Sequence, residues 1–157
     1  MGTAANQSEK FAANEFKFAI VAARYNADIV DALLGAARSA WRRHGGSDAA
    51  LRVEHVPGAF ELPLAASALA RQGTIDAVVA LGCVIRGDTA HFDFVAGQCA
   101  YGLQRVMLDT GVPVSFGVLT VDTRAQALVR AATDALNKGG EALETALAMA
   151  SLLRRLA

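Results

Sequence analysis

A chain of 157 residues is long enough for one domain with a sizeable core and short for two. Its 15 basic and 15 acidic residues cancel to a formal net charge of +0, which gives no basic excess for nucleic acid or an anionic membrane surface. Hydrophobic residues make up 54% and the mean hydropathy is +0.31, yet the longest apolar run, Ala77–Ile85, falls far short of the ~18 residues of a membrane span, so the surplus is assigned to burial between subunits.

Residues 1–15 are polar and alanine-rich and lack the apolar stretch of a secretory signal, so a cytoplasmic location is expected. This arm is expected either to be disordered or to pair with a neighbouring subunit's sheet. Residues 16–157 are read as the single folded domain. Phe16–Ala23 predicts the first strand. Ile29, Val30, Leu33, Leu34, Ala37 and Trp41 then recur at helical spacing, and Gly45 and Gly46 end that helix after His44. Leu51–Val56 predicts a second strand and Glu61–Gln72 a second helix. Ala77–Ile85 predicts a third strand, and Thr89–Asp109 a third helix stopped by Gly111. Val112–Thr120 predicts the last strand. Two helices follow, Thr123–Asn137 and Glu141–Leu156, split by Gly139 and Gly140. The order β-α-β-α-β-α-β-α-α predicts an α/β fold with parallel strands and helices on both faces. Cys83 and Cys99 form no CxxC pair and have no histidine at zinc spacing, so both are read as buried free thiols and no metal site is expected.

Ligands of a parallel sheet bind beyond the carboxyl ends of its strands. Four segments lie there: Arg24-Tyr25-Asn26, Pro57-Gly58-Ala59-Phe60-Glu61, Arg86-Gly87-Asp88-Thr89-Ala90-His91 and Thr120-Val121-Asp122-Thr123. His91 is read as functional, because imidazole exchanges protons near neutral pH without special tuning. His44 and His55 lack such company and are read as structural or exposed. The Gly87-Asp88-Thr89 turn reads both as a helix cap, with Asp88 or Thr89 capping, and as an anion site at a helix start. Tyr25 reads as core or as a stacking platform for a flat ring, and Glu61 as a first-turn residue or an acceptor for a polyol. Arg130 and Lys138 read as solvated charges from pattern alone. Neither a dinucleotide glycine fingerprint nor a P-loop occurs.

The blocks Val56–Pro63, Ala80–Phe92, Phe116–Thr120, Gln126–Arg130 and Asn137–Gly139 closely resemble the lumazine synthase family, in family order, over about Phe16 to Leu153. The resemblance implies a flavodoxin-like three-layer α/β/α sandwich on a four-stranded parallel sheet. It implies condensation of 5-amino-6-(D-ribitylamino)uracil with 3,4-dihydroxy-2-butanone 4-phosphate to 6,7-dimethyl-8-ribityllumazine, without metal or coenzyme. By the same resemblance, Tyr25 stacks on the pyrimidine beside Asn26, and Ala59, Phe60 and Glu61 hold the ribityl chain. Cys83, Val84 and Ile85 read the pyrimidine, Asp88 and Thr89 hold the ketone phosphate with Arg130, Lys138 lies near that phosphate, and His91 donates a proton. Phe116 covers the pyrimidine from the neighbouring subunit. The implied partners are the two small-molecule substrates, further copies of the chain in a pentamer or a sixty-subunit shell, and riboflavin synthase. Tyr25 stands where the family has Phe or Trp, Ala132 and Leu136 where it has glycines, and Ala148 and Ser151 where it has Glu and Asn. A flavin- or lumazine-binding shell protein with little turnover is the alternative of a different class.

Overall fold

The computed structural model describes residues 11–157. Four strands, β1 (Phe18–Ala23), β2 (Leu51–Val56), β3 (Ala77–Ile85) and β4 (Val114–Val121), form one parallel sheet in the order β2-β1-β3-β4. β1 and most of β3 are buried on both faces, which explains why they read as unbroken apolar runs rather than alternating ones. The helices are α1 (Ala27–Arg43), α2 (Leu62–Ala70), α3 (His91–Thr110), α4 (Arg124–Ala131) and α5 (Lys138–Leu156). One core packs α1, α4 and α5 on the sheet around Phe18, Ile20, Leu33, Trp41, Leu81 and Leu147. The other packs α2 and α3 around Val21, Leu62, Val78, Leu103 and Val118. The three-layer α/β/α architecture is therefore the expected one.

The ends of the first three strand–helix units fall within a few residues of expectation. The last two helices do not. α4 stops at Ala131, six residues before the expected Asn137, because Ala132 turns extended (φ −63°, ψ 132°). α5 starts at Lys138, so Gly139 and Gly140 lie inside its first turn instead of splitting two helices. Asn137 supplies the turn: it adopts a left-handed conformation (φ 45°) and its side chain accepts from the Gly140 N–H at 3.3 Å. The glycines are required by packing. A Cβ on Gly139 would lie 2.1 Å from the Leu33 carbonyl oxygen, so only glycine lets α5 approach α1 this closely.

Of the amino-terminal arm, residues 1–10 lie outside the described residues. Ala13 is buried and its N–H donates to the His44 carbonyl, Phe11 packs against the His44 ring, and Glu15 pairs with Arg154. His44 is structural, against Glu144 at 3.1 Å, while His55 is exposed on β2. No helix among the described residues is long and apolar enough to cross a membrane.

Candidate active site

The loops that follow β1 and β2 are stitched to each other, and the first of them to the end of β3, at the carboxyl rim of the sheet. The Arg24 N–H donates to the Val56 carbonyl at 2.9 Å and the Tyr25 N–H to the Pro57 carbonyl at 3.2 Å, so the β1–β2 pairing continues past both strand ends. Tyr25 is then pushed outward and is 72% exposed, which rules out its reading as a core residue. Its ring lies against Gly58, where a Cβ would come 2.9 Å from the ring carbon Cδ2. The Gly58 N–H donates to Glu61 Oε2 at 2.9 Å, which fixes that carboxylate in the short 3-10 turn Ala59–Glu61 before α2. Phe60 in the same turn is exposed. Asn26, left-handed at φ 56°, donates its Nδ2 to the Cys83 carbonyl at 3.0 Å and so ties the β1 loop to the end of β3.

Val84 and Ile85 are half-buried at the end of β3. The Cys83 thiol is pushed up to about 11, chiefly by burial, and Cys99 to about 12 for the same reason. Both stay protonated at neutral pH and neither is poised as a nucleophile. Beyond β3 the segment 86–91 is exposed throughout. The expected cap is only partly realised. Ala90 occupies the position before α3 without a side-chain bond, Asp88 makes no capping bond, and Thr89 Oγ1 accepts weakly from the His91 N–H at 3.4 Å. His91 thus stands at the first position of α3 with its ring in solvent. After β4, Thr123 caps α4 by accepting from the Gln126 N–H, and Gln126 reaches back to the Asp122 N–H at 2.9 Å.

The chain brings Tyr25, Asn26, Ala59, Phe60, Glu61, Cys83, Val84, Ile85, Asp88, Thr89 and His91 to the rim above β1, β2 and β3. Phe116, Arg130 and Lys138 lie on β4, α4 and α5 rather than in those loops. Phe116 sits five residues before the end of β4, roughly 16 Å back along the strand, where it pairs with Ala80 of β3, three residues before Cys83. It borders a side depression of about 420 Å³ with Tyr101, Gln104, Met107 and Val114, not the rim. Arg130 is six residues into α4, about 9 Å along its axis, and donates to the Gln126 carbonyl. Lys138 pairs with Glu141 at the start of α5, one residue from the Leu33 contact.

A sequence model of 6,7-dimethyl-8-ribityllumazine synthase matches residues 15–154. The chain belongs to that family. The match takes in every rim loop, α4, and α5 as far as Arg154. Membership of the lumazine synthase family ties the chain to riboflavin biosynthesis and to transferase-type chemistry. Sequence reading missed the groups that brace this rim. Asp28, in the first turn of α1, pairs with Arg124 of α4 across 96 residues, and Arg86 pairs with Asp122 across 36. No local spacing reports such partners. The only signal was an arginine in a loop with aspartates in the neighbouring loops.

Proposed function

We propose that the chain condenses 5-amino-6-(D-ribitylamino)uracil with 3,4-dihydroxy-2-butanone 4-phosphate, giving 6,7-dimethyl-8-ribityllumazine, phosphate and water. The observation that carries this reading is that the site residues fall into two sets, one at the rim above β1, β2 and β3 and one on β4, α4 and α5. The rim offers an exposed aromatic face (Tyr25), a fixed carboxylate (Glu61), strand-edge groups (Cys83, Val84, Ile85) and an imidazole (His91). Phe116, Arg130 and Lys138 come instead from β4, α4 and α5, outside the loops that carry that set. A second copy, its β4 side facing the rim, completes the site. On this reading the enzyme is an obligate oligomer, a pentamer that can assemble further into a shell.

The roles follow from chemistry. The pyrimidine stacks on Tyr25, and Glu61 accepts from ribityl hydroxyls through the oxygen that Gly58 does not occupy. The 5-amino group attacks the ketone carbonyl to form an imine with loss of water. Phosphate then leaves, and the ribityl-bearing nitrogen closes the ring with dehydration. His91 supplies and removes protons near neutral pH. Asp88 and Thr89 at the start of α3 hold the phosphate with the guanidinium of Arg130, and Lys138 adds a second positive charge; charge-assisted bonds of this kind are worth about 1.5–3 kcal/mol each. Holding two substrates face to face supplies much of the remaining acceleration.

Mixing the protein with both substrates and following the absorbance and fluorescence of the lumazine tests this directly. Product formation above the slow uncatalysed rate is expected. A rate equal to that background sinks the proposal in favour of a binding protein. His91→Ala should lower kcat while leaving pyrimidine binding nearly intact, and unchanged turnover would remove His91 from the chemistry.

A further inference from the structure

Arg86 opens the loop that runs from β3 to α3, and its guanidinium is held on three sides. Nη2 and Nη1 fork onto the Asp93 carboxylate at 3.0 and 3.4 Å, Nε donates to Asp122 Oδ1 at 3.1 Å, and the guanidinium plane lies 4.1 Å from the centre of the Phe92 ring. The Arg86 N–H also donates to the Val121 carbonyl at 2.9 Å. These contacts join the start of the loop to the first turn of α3, where the loop ends, and to the β4–α4 connection. Between the two clamped ends lie Gly87, Asp88, Thr89, Ala90 and His91.

We infer that Arg86 is a positioning residue: with Asp93, Asp122 and Phe92 it sets the path of residues 87–91 and thereby aims the phosphate-binding turn and His91. The inference rests on the condensation reading above. Two alternatives are weaker. The clamp is a poor source of global stability, because the three charged side chains are 43%, 62% and 70% exposed and ion pairs at such exposure contribute little. Arg86 is also a poor direct ligand for phosphate. Two carboxylates surround its single charge, so the cluster carries a net negative charge toward an incoming anion. What a forked, stacked guanidinium does well is fix geometry. The loop it fixes contains a glycine, and apart from two bonds at its α3 end, the His91 N–H to Thr89 Oγ1 and the Asp93 N–H to the Ala90 carbonyl, little else among the described residues holds it.

The test compares wild type with Arg86→Gln, Arg86→Lys, Asp93→Asn and Asp122→Asn. Arg86→Gln should raise both the KM for the phosphorylated ketone and the inhibition constant of inorganic phosphate about tenfold, because a loop displaced by an ångström loses its aim. The pyrimidine KM should stay within about twofold, since Tyr25 and Glu61 are held by other contacts. Arg86→Lys should rescue little, as an ammonium cannot fork or stack. Asp93→Asn and Asp122→Asn should shift the ketone KM upward as well. A downward shift in both would mean that Arg86 binds phosphate itself and would overturn the positioning role. Hydrogen exchange gives a readout that needs no turnover. The amides of residues 87–91 should exchange faster in Arg86→Gln, with the rest of the domain unchanged. Unchanged exchange there defeats the clamp even if the enzyme works. Faster exchange in a protein with no lumazine-forming activity would defeat the condensation reading and leave the clamp standing.

Discussion

The two faces of the sheet are finished to different standards. Helices of 17, 8 and 19 residues cover one, and their core contains the indole of Trp41 and the rings of Phe16 and Phe18, all nearly inaccessible. Only helices of 9 and 20 residues cover the other. There Phe60, Leu64, Phe94, Tyr101, Leu108 and Phe116 remain exposed, around a side depression between α3 and β4. Both faces are drawn from the same apolar-rich composition, so the difference lies in placement. The first face still exposes Leu128, Val129, Leu152 and Leu156 on α4 and α5, but its large aromatic rings are sealed within the chain. The second face leaves the aromatic rings of Phe60, Phe94, Tyr101 and Phe116 in solvent, as a subunit interface would. Stability should therefore respond to changes on the first face and assembly to changes on the second.

The largest effect is expected at Gly139. Gly139→Val drives a side chain into the Leu33 backbone and should cost on the order of 3 kcal/mol in urea unfolding, or prevent folding outright. A variant as stable as wild type would show that the α1–α5 seam is not closed as described. Phe116→Asp tests the opposite face. It should leave far-UV circular dichroism unchanged but reduce the mass seen by light scattering, and lower turnover about a hundredfold, as a lost interface anchor does. Full activity in a dissociated protein would break the link between assembly and catalysis. Arg130→Ala should act more narrowly, raising the ketone-phosphate KM about tenfold with the pyrimidine KM little changed. Equal effects on both constants would remove Arg130 from the phosphate site.

Much of this layout was legible in the sequence, for definable reasons. The strands show because Ala77–Ile85 and Phe18–Ala23 must be apolar on both faces of a parallel sheet. The rim loops show because parallel strands place their functional loops on one edge. The end of α4 did not show, since Ala132–Leu136 contains ordinary helix formers and the break comes where Ala132 turns extended. The pair Gly139-Gly140 was misread as a helix break, although its meaning is a backbone contact with Leu33 more than 100 residues earlier. Likewise the clamp on Arg86 depends on an aspartate 36 positions away, a distance over which local pattern carries no information.

The smallest effect concerns the covered face alone and has a defined pH signature. Glu144 of α5 sits between Arg43, at 2.7 Å, and His44, at 3.1 Å, at the end of α1. Burial works to raise its carboxyl, but hydrogen bonds and charge from Arg43 and His44 prevail and hold it below the usual range. An acid whose folded value lies below its unfolded value stabilises the fold above the unfolded value, near 4.3, and loses that contribution as pH falls through the folded one. Glu144→Gln should therefore cost roughly 1 kcal/mol at pH 7, a modest sum because the pair is partly solvated. The gap to wild type should narrow below about pH 4, where the wild-type carboxyl is also protonated. Thermal unfolding of both proteins between pH 3 and pH 8 measures this. A gap that stays constant across that range would mean Glu144 acts through packing rather than charge, and that α1 and α5 are joined by the Gly139 contact and the Trp41 core without help from this ion pair.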